Sequence, residues 1–394
     1  MLDVVSQHAA EFTTDAGSET ATQAAAAPAL SISQRTRVTP FHGRVVAAGA
    51  KAFTVYNHML LPTVFESVET DYWHLRENVQ LWDVSAERQV ALKGPDALRL
   101  AQFMTPRDLT KLEVGRCMYA PMTDANGGMV NDPIYLRISD DEVWISIADS
   151  DVVLWASALA HGMGLDVAIS EPDVFPLAIQ GPRSDDLMAK VFGDEIRSIR
   201  KFRWAPLPFE GCELVTARSG WSHQGGFEIY LHRPDLAEPL WDALMDAGAE
   251  FSVRAGCPNL IERVESGLLS YGNDMTRADT PLDCGLDRFC AVDGDFDFLG
   301  KQALLAIRDS GPRRRVRGLR FGTAPVAPCI QPWSVAVDGA TVGHISTAAY
   351  SPRFEQNVAI AMIASDYSDL DTAITVTLPD GSELEGRVVD LPMA

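Results

Sequence analysis

The sequence has no cysteines or histidines at the close spacings that metal sites use. Its 6 cysteines contain no C-x-x-C pair, and its 8 histidines contain no H-x-x-x-H pair. Zinc and iron–sulfur centres are commonly built from such closely spaced ligands. We therefore expect reduced thiols and no bound metal.

Long apolar runs and targeting segments are also missing. No stretch of about 18 apolar residues occurs, which is the length that a membrane-spanning helix needs. The N-terminus lacks the basic residues and the following apolar segment of a secretory signal. The sequence therefore predicts a cytoplasmic protein that does not interact with membranes.

Positive charge is scarce. The chain has 33 Lys and Arg against 54 Asp and Glu, which gives a formal net charge of -21 at pH 7. Such a protein repels phosphate backbones and anionic membrane surfaces, so nucleic acid is excluded as an expected partner. The densest basic run, residues 313–315 with Arg317, is interpreted as a solvated turn.

Motifs of two large enzyme classes are absent. No Ser-His-Asp nucleophile elbow, no phosphate-binding P-loop and no G-x-G-x-x-G sequence opening a βαβ unit occurs. Hydrolase and nucleotide-dependent activities therefore have no support in the sequence.

The chain is long enough for two or three domains. It has 394 residues, of which 46% are hydrophobic. Residues 1–29 are rich in Ala, Thr, Ser and Gln, which predicts a disordered N-terminal arm. Residues 30–300 alternate strand and helix patterns, whereas residues 301–394 carry two Asp-Gly hairpin signals, at Asp338 and Asp380. We predict a small all-β domain at the C-terminus.

A weak internal repeat lies within the first 300 residues. A strand followed by Gly-Pro and a helix occurs at residues 90–95 and again at residues 177–182. Each copy is followed by a Gly-Gly pair ahead of a strand, at Gly127-Gly128 and at Gly225-Gly226. The pattern predicts two related α/β units that face each other across a cleft. Coincidence is the alternative, because Gly-Pro turns are common.

The most informative segment is residues 220–230, where a glycine-rich turn leads into a strand with two unlike faces. Side chains alternate along a strand, so the apolar positions 227, 229 and 231 share one face, while Glu228 and Tyr230 share the other. With Trp221 at the turn, these two polar side chains could form the wall of a pocket for a flat polar heterocycle such as a pterin. The alternative is an edge strand with a solvated outer face.

Two further segments have unusual polar residues. Residues 56–62 place Tyr56, Asn57 and His58 directly before an apolar pair. They form either a buried loop in which Asn57 caps backbone groups or a loop that lines a substrate. Asn131-Asp132 is a polar pair within a strand pattern, and either it ends the strand or one member faces a ligand.

Two other positions have both a structural and a functional interpretation. Trp144 and Ser146 share one face of a predicted strand, which core packing alone would explain. Residues 258–271 predict a helix that carries Arg263 between acidic neighbours. Arg263 either forms surface ion pairs with them or reaches a ligand carboxylate.

Taken together, four strings resemble the folate-dependent aminomethyltransferase family, the T-protein of glycine cleavage. They are residues 56–62, Gly127-Gly128-x-x-Asn131-Asp132, residues 217–221 and Gly226-Phe227-Glu228. The resemblance covers roughly residues 30–390. Within the family it is closest to the dimethylsulfoniopropionate demethylases, through residues 56–62 and through the strings at residues 82–90, 147–151 and 268–274.

The resemblance implies an α+β fold with three domains arranged as a cloverleaf. Two interleaved α/β units would occupy residues 30–300 around a central folate channel, and residues 301–394 would form a β-barrel. A homodimer is the expected assembly.

The resemblance also implies a set of site residues. Glu228 would hold the pterin edge, and Trp221 lies where the family usually has Tyr. The methyl donor would contact Tyr56, Asn57, His58, Met59, Leu60, Ser146, Trp221 and Tyr230; the folate would contact Tyr119, Asn131, Ser146, Phe202, Trp221, Glu228 and Arg263; and Asn131, Trp221 and Tyr230 would act in catalysis.

The implied reaction transfers a methyl group from dimethylsulfoniopropionate to N5 of tetrahydrofolate, giving 5-methyltetrahydrofolate and 3-(methylthio)propionate. Aminomethyltransferases have an acidic residue where this chain has Asn131. Three alternatives stay open: an aminomethyltransferase, a demethylase of another sulfonium or of a betaine, and a folate-binding scaffold without methyl transfer.

Overall fold

The computed structural model of the protein describes residues 33–393. The disordered arm predicted for residues 1–29 therefore lies outside the described residues. Residues 33–37 are assigned to a separate small body, and the architecture below belongs to the body that begins at Val38.

A helix, a hairpin and a second helix precede the main sheets. These elements are α1 (His42–Ala47), β1 (Ala52–Tyr56), β2 (Met59–Val64) and α2 (Val68–Glu77). Strand β3 (Gln80–Asp83) follows them and belongs to the larger of the two main sheets. Strands β1 and β2 pair antiparallel, with Tyr56 opposite Met59. Helix α2 begins after Ser67, whose hydroxyl accepts a hydrogen bond from the Thr70 N–H at 3.0 Å. This cap satisfies an N–H group that has no partner within the helix.

The first α/β unit comprises residues 89–170 and is built on a five-stranded sheet. Its elements are β4 (Gln89–Lys93), α3 (Ala97–Phe103), β5 (Cys117–Tyr119), β6 (Met122–Thr123), β7 (Met129–Asn131), β8 (Ile134–Ser139), β9 (Glu142–Ser146), α4 (Val152–Met163) and β10 (Ala168–Ser170). The sheet order is β10-β4-β9-β8-β5, and β6 pairs with β7 in a separate small hairpin. Helix α3 follows the predicted Gly94-Pro95 turn and buries Leu100 completely.

The second α/β unit comprises residues 175–256 and is built on a six-stranded sheet that also contains β3. Its elements are β11 (Phe175–Gln180), α5 (Ser184–Phe192), β12 (Trp204–Phe209), β13 (Cys212–Ala217), β14 (Gly226–Leu231), α6 (Ala237–Gly248) and β15 (Arg254–Gly256). The sheet order is β12-β13-β14-β11-β3-β15. Strand β14 therefore has a partner on both sides.

The two units share one strand order, which confirms the predicted repeat. The counterparts in chain order are β4 and β11, β5 and β12, β8 and β13, β9 and β14, and β10 and β15. Replacing each strand of the first sheet by its counterpart gives the second sheet, with β3 inserted between β15 and β11. The Gly-Gly part of the prediction was wrong. Gly225-Gly226 leads into β14, whereas Gly127-Gly128 leads into β7 and β8, which are not the counterparts of β14.

Helix α7 (Leu260–Ser266) is shorter than predicted. It begins at Asn259, whose side chain accepts hydrogen bonds from the N–H groups of Ile261 and Glu262. It ends at Gly267, which has φ +65 and so adopts the left-handed conformation that terminates helices. The prediction of a helix through residue 271 was therefore wrong at its C-terminal end.

The C-terminal region is a closed barrel, as predicted. It follows helix α8 (Lys301–Ser310) and consists of β16 (Arg314–Phe321), β17 (Trp333–Val337), β18 (Ala340–Ser351), β19 (Gln356–Ala364), β20 (Ala373–Thr377) and β21 (Glu383–Val389). The closed order is β16-β19-β18-β17-β20-β21. Asp338 and Gly339, both with positive φ, make the predicted hairpin turn between β17 and β18. The domain boundary at residue 300 stays a prediction.

The two α/β units meet through a cluster of buried side chains contributed by both sheets. Its buried members are Ala91, Cys117, Leu136, Trp144, Val174, Ala217 and Tyr230. Tyr230 is almost fully buried and lies 6.5 Å from Trp144, measured between ring centroids. Since these two residues belong to the counterpart strands β14 and β9, the units pack through equivalent strands.

The described residues form no disulfide and contain no helix that could span a membrane. All six cysteines are free. Within residues 33–393, no helix is long and apolar enough to cross a membrane. In the same residues, no group of three or more His, Cys, Asp or Glu side chains is arranged to hold a metal ion.

Candidate functional site

Residues 56–62 form a tight β-hairpin and not an irregular loop. Asn57 and His58 occupy its turn with φ values of +47 and +61, which is the geometry of a type I′ turn. The buried Asn57 amide donates to the carbonyl oxygens of Ala86 at 3.0 Å and Ala148 at 3.2 Å. The predicted capping role of Asn57 is therefore confirmed. His58 is exposed, whereas Met59 and Leu60 are buried.

The hairpin places Tyr56 beside carboxyl groups. Burial raises the pKa of the Tyr56 phenol well above its usual value, and the negative charges of Glu87 and Asp132 raise it further. Tyr56 is therefore within electrostatic range of Glu87, on the turn before β4, and of Asp132, between β7 and β8.

Asn131 and Asp132 serve different purposes. The fully buried Asn131 side chain donates to the Ala148 carbonyl at 3.0 Å and to the Ser150 hydroxyl at 2.8 Å, and it accepts from the Ala148 N–H at 3.0 Å. Asn57 also bonds the Ala148 carbonyl, so both amides hold the same segment. Asn131 is thus engaged by the protein, and a direct catalytic role for it stays a prediction.

Asp132, the other member of the pair, is a buried acid whose ionised form is poorly stabilised by its surroundings. The Tyr119 hydroxyl donates to its Oδ2 at 3.2 Å. Burial raises the pKa of Asp132 to about 8, with a further contribution from the charge of Asp274, while the Tyr119 bond acts in the opposite direction. The carboxyl therefore keeps its proton at pH 7 until a cation or a hydrogen-bond donor stabilises the ionised form.

Glu228 lies in the middle of a sheet, so the edge-strand interpretation is wrong. Its side chain is only 7% exposed. One carboxylate oxygen accepts hydrogen bonds from the Ser219 hydroxyl and, at 3.4 Å, from the Tyr230 hydroxyl. Burial raises the pKa of Glu228, and these two donors act against that shift. The predicted face bearing Glu228 and Tyr230 is confirmed, with residues 227, 229 and 231 in the core behind it.

Ser146 joins the first unit to this group. Its hydroxyl accepts from the Gln89 side chain at 2.9 Å. Burial raises the pKa of Tyr230, the charges of Glu228 and Glu87 raise it further, and a hydrogen bond with Ser146 lowers it. Ser146 therefore lies within reach of the Tyr230 hydroxyl, and simple core packing does not account for it.

Three buried carboxyl groups influence one another electrostatically in this region. Burial raises the pKa of Glu87 well above its usual value, and the charges of Glu228 and Asp132 add to that effect. None of the three pairs with a Lys or Arg side chain in the described part of the chain. We call Glu87, Asp132 and Glu228 the carboxyl cluster. Tyr56, Tyr119 and Tyr230 each lie beside one of its members, so the cluster has an aromatic lining.

The turn that carries Trp221 is fastened to the buried side chain of Gln180. The Ser222 hydroxyl donates to Gln180 Oε1 at 2.6 Å, and Gln180 Nε2 donates to the Ser219 carbonyl at 3.2 Å. A Cβ atom at Gly220 or at Gly226 would collide with the same amide. Both glycines also have positive φ, at +146 and +152. The turn therefore requires glycine at both ends.

Arg263 supports Trp221 and does not lie on the surface. Its guanidinium stands 5.9 Å from the Trp221 ring centroid. It also donates to Asp274 Oδ2 at 2.7 Å and to the Thr347 hydroxyl on β18 at 2.7 Å. The surface-pair interpretation was wrong, because Arg263 is 7% exposed and its neighbours Glu262 and Glu265 are buried. Its contact with folate stays a prediction.

Phe202 lies at the periphery. It is 36% exposed and has φ +57. Its backbone bonds to Cys117 at 3.0 Å and to Arg218 at 3.0 Å, which connects both units. Lys201 stands over its ring at 5.9 Å.

The structure thus brings five of the predicted residues to one region. Tyr56, Tyr119, Ser146, Glu228 and Tyr230 lie around the carboxyl cluster, while His58 and Phe202 lie further out. Residues that the sequence did not assign to the site are Glu87, Gln89, Asp132, Gln180 and Ser219. Glu87, Gln89, Asp132 and Ser219 stood within the strings that carried the family resemblance, which was the available signal. Gln180 is detectable only through its hydrogen bonds.

Family comparisons agree with this architecture. The family described as GCVT N-terminal domain matches residues 41–294, and the glycine cleavage T-protein C-terminal barrel domain matches residues 314–394. The chain therefore belongs to the glycine cleavage T-protein family, which includes the aminomethyltransferases.

Individual relatives fall into two groups. A dimethylsulfoniopropionate demethylase, DmdA, of Ruegeria pomeroyi is 52% identical over 349 residues, which are 89% of this chain and 95% of the relative. An aminomethyltransferase of Symbiobacterium thermophilum is 30% identical over 366 residues, which are 90% of this chain and 96% of the relative. Similarity to the demethylase is thus considerably higher.

A solved structure has the same fold. The crystal structure of glycine cleavage system aminomethyltransferase T from Bartonella henselae matches with a TM-score of 0.81 at 22% identity, covering 91% of this chain and 98% of that one. The predicted α+β architecture with two α/β units and a terminal barrel is therefore confirmed.

Proposed function

We propose that the protein is a tetrahydrofolate-dependent demethylase of dimethylsulfoniopropionate, which produces 5-methyltetrahydrofolate and 3-(methylthio)propionate. The observation that carries this proposal is the carboxyl cluster with its phenol lining and without a basic partner. In such a site a bound cation stabilises the ionised form of the carboxyl groups, so the site favours a cation. The 52% identical relative named as a dimethylsulfoniopropionate demethylase supports the same methyl donor.

Glu228 is suited to hold the edge of a pterin ring. Its carboxylate is buried, lies in mid-strand and is oriented by Ser219 and Tyr230. A pterin presents adjacent N–H groups along one edge, and a carboxylate can accept from two of them. Trp221 follows Ser219 by two residues and has the Arg263 guanidinium over its ring, so this pair is our candidate for completing a surface for a flat ring. Tetrahydrofolate supplies N5 as the nucleophile.

Glu87 and Asp132 are suited to face the cationic end of the methyl donor. A sulfonium beside them stabilises their ionised forms, which the free protein disfavours. The phenol ring of Tyr56 offers a cation–π contact worth about 0.5–2 kcal/mol. Tyr119 holds Asp132 in place through the hydrogen bond described above.

Direct methyl transfer needs little acid–base assistance. The methyl group moves from sulfur to nitrogen, the electrons of the broken C–S bond stay on sulfur, and the thioether leaves as a neutral molecule. No general acid is therefore needed for its departure. Positive charge disperses as the reactants meet, so positioning in a pocket shielded from water provides much of the rate enhancement.

Asn131 fits this reaction better than an aspartate would. An aminomethyl transfer involves proton delivery, for which a nearby carboxylate is useful. At this position the chain has an amide that orders the segment around Ala148. Its neutral side chain adds no further charge to a site that already contains three carboxyl groups.

The decisive experiment incubates the purified protein with tetrahydrofolate and one methyl donor at a time. Dimethylsulfoniopropionate, a betaine and an aminomethylated lipoyl protein are the candidates, with mass spectrometry to detect 5-methyltetrahydrofolate and the demethylated product. We expect both products with dimethylsulfoniopropionate and none with Glu228→Ala. Turnover of the lipoyl substrate instead would identify an aminomethyltransferase. Folate binding without turnover of any donor would identify a scaffold.

Assembly and location stay predictions. The sequence predicts a homodimer and a cytoplasmic location. Light scattering of the purified protein tests the first, and fractionation of cells tests the second.

A further inference from the structure

A buried ion pair between Arg263 and Asp274 lies beside Trp221. The two side chains belong to residues that are 7% and 5% exposed, and their Nη1 and Oδ2 atoms are 2.7 Å apart. The guanidinium carbon of Arg263 stands 5.9 Å from the centroid of the Trp221 ring. Burying both charges costs desolvation free energy, and such a pair is often no more stabilising than apolar side chains of similar volume. Stability alone is therefore a weak reason for a charged pair at this position.

Asp274 is held through both of its carboxylate oxygens. In addition to Arg263, Oδ2 accepts a hydrogen bond from the Ser270 N–H at 2.9 Å. Oδ1 accepts from the hydroxyls of Ser346 at 2.6 Å and Thr347 at 2.7 Å. The Thr347 hydroxyl also accepts from Arg263 Nη2 at 2.7 Å, so Arg263, Asp274 and Thr347 form a closed ring of hydrogen bonds. Because a guanidinium is planar, bonds from both terminal nitrogens fix its orientation.

Strand β18 of the barrel is shaped to supply the two hydroxyls. Its pairing with β19 shifts register between Ile345 and Thr347. Successive side chains of a regular strand point to opposite faces, yet Ser346 and Thr347 both bond to Oδ1 of Asp274. A bulge redirects side chains in this way, and bulges are over-represented next to active sites. The barrel therefore departs from regular pairing at the point where it meets the ion pair.

An unpaired cation at Arg263 would oppose the binding of a cationic methyl donor. An aromatic ring attracts a cation that lies within about 6 Å of its centroid, and a second positive charge at that range repels the first. The carboxylate of Asp274 offsets the charge of Arg263 at 2.7 Å. The negative charge of Asp274 also acts on Asp132, whose pKa it helps to raise. The ion pair thus allows an arginine to support the Trp221 indole without making its surroundings positive.

We propose that Asp274 is a positioning residue for the methyl donor, which acts by neutralising Arg263 and so keeps the Trp221 ring selective for a cation. This inference rests on the proposed function, because it assumes that Trp221 contacts the onium group of the donor. The rival explanation is a purely structural ion pair that attaches β18 to the segment after α7. The two explanations differ in how each charge affects the preference for a cation over a neutral ligand of the same shape.

Calorimetric titration with a charged donor and its uncharged isostere tests the inference. In 4-methylpentanoate a CH group replaces the sulfonium of dimethylsulfoniopropionate, while both methyl groups and the carboxylate are retained. Without tetrahydrofolate no methyl transfer occurs, and the ratio of the two dissociation constants measures the preference for the cation. Asp274→Asn should lower this ratio about tenfold, because the guanidinium left unpaired repels the sulfonium and not the isostere.

Arg263→Gln separates the charge of the pair from its structural role. The remaining donors to Asp274 favour its ionised form, so this variant should keep or raise the preference for the cation. The Arg263→Gln, Asp274→Asn double variant removes both charges and should restore the ratio to within about threefold of the native value. Asp242→Asn is the matched control, because it removes one carboxylate from a pair with Arg44 on helices α1 and α6 and should leave the ratio unchanged.

A similar decrease of the ratio in Asp274→Asn and Arg263→Gln would identify a structural pair and overturn the inference. An unchanged ratio in Asp274→Asn would overturn it as well, and both results leave the proposed function intact. If Asp274→Asn does not fold, Arg263→Gln decides alone, since a lowered ratio contradicts the inference. A native protein that neither binds dimethylsulfoniopropionate nor transfers its methyl group to tetrahydrofolate would instead remove the proposed function together with the inference.

Discussion

The two α/β units share a strand order but contribute different chemistry to the site. On the counterpart strands β9 and β14, the first unit presents Ser146 and the second presents Glu228 and Tyr230. The other two acids lie on connecting segments instead: Glu87 on the segment that leads into the first unit, and Asp132 between β7 and β8. The two α/β units therefore share a strand order and differ in function through the side chains that they carry.

This placement has consequences for how firmly each acid is held. Glu228 belongs to a strand that is paired on both sides, with Ala178 and Ala217 as its neighbours in the ladder. Glu87 and Asp132 have no such ladder around them. We infer that the second unit recognises a rigid ring, whereas the first unit adapts to the charge of the methyl donor. The four experiments below test this division.

The largest effect is expected for Glu228→Gln. A hydrogen bond to a charged group contributes about 1.5–3 kcal/mol, so the dissociation constant for tetrahydrofolate should rise about tenfold to a hundredfold by calorimetry. Glu213→Gln is the matched control, because Glu213 is exposed on the neighbouring strand β13 and loses the same charge. Equal affinity of the Glu228 variant and the native protein would remove Glu228 from the folate site.

Trp221→Ala should reduce turnover about tenfold with a small effect on folding. The loss corresponds to about 0.5–2 kcal/mol of contact with a cation or ring. The turn itself is held by Gln180 and Ser222, so the melting temperature should change little. Trp73→Ala on α2, at a ring that is 37% exposed, serves as the control. An unchanged kcat in a stable Trp221 variant would contradict the assignment.

Asp132→Asn should flatten the pH dependence of methyl-donor binding. Below its pKa of about 8 the free carboxyl is protonated, so binding a cation must release a proton and weakens as the pH falls. Native affinity should therefore increase from pH 6.5 to about 8 and then level off. Glu87, Glu228, Tyr56, Tyr119 and Asp274 surround this region and contribute to the profile.

Stability provides an independent readout of the same variant. The folded-state pKa of Asp132 is raised from 3.8, so its stabilising contribution is present below pH 4 and is lost as the pH rises through about 8. Asparagine does not titrate. The melting temperature of the variant should therefore exceed that of the native protein at pH 9. A lower value, or an unaltered binding profile, would show that Asp132 is ionised in the free protein.

Ser146→Ala should have the smallest effect. It removes one neutral hydrogen bond with Gln89 and one with Tyr230, each worth about 0.5–1.5 kcal/mol, and should lower kcat/KM a few-fold. Steady-state kinetics measure this loss. If the decrease matched that of Glu228→Gln, the two units would contribute equally and the division between them would fail.

Local pattern was sufficient to predict most of the fold. The alternation along β14, the Asp-Gly turns of the barrel and the Gly-Pro repeat each depend on neighbours in sequence, and each was confirmed. The exact end of α7 was missed, because the left-handed geometry of Gly267 is compatible with several continuations of the chain. The Gly-Gly pairs were misassigned because similar turns serve strands that are not counterparts.

The site was predictable only where its chemistry lies within a short string. Glu228, Tyr230 and Trp221 stand within ten residues of each other, so their shared location was evident. Glu87 and Asp132 are separated by 45 positions, and only the packing of the two connecting segments brings them together. Gln180 is hydrogen-bonded to a turn that lies about 40 residues further along the chain. Arg263 donates a hydrogen bond to Thr347 on the barrel strand β18. Such contacts are set by tertiary packing and leave no periodic pattern in the sequence.

The turn between Gly220 and Gly226 is held by contacts that do not involve the side chain of residue 221. Both ends of the segment are anchored on Gln180, so the identity of the side chain at 221 does not determine the path of the backbone. A phenol could therefore replace the indole at this position without rebuilding the surrounding sheet. Laboratory evolution toward new onium compounds would do well to vary residue 221 first and to leave both flanking glycines untouched.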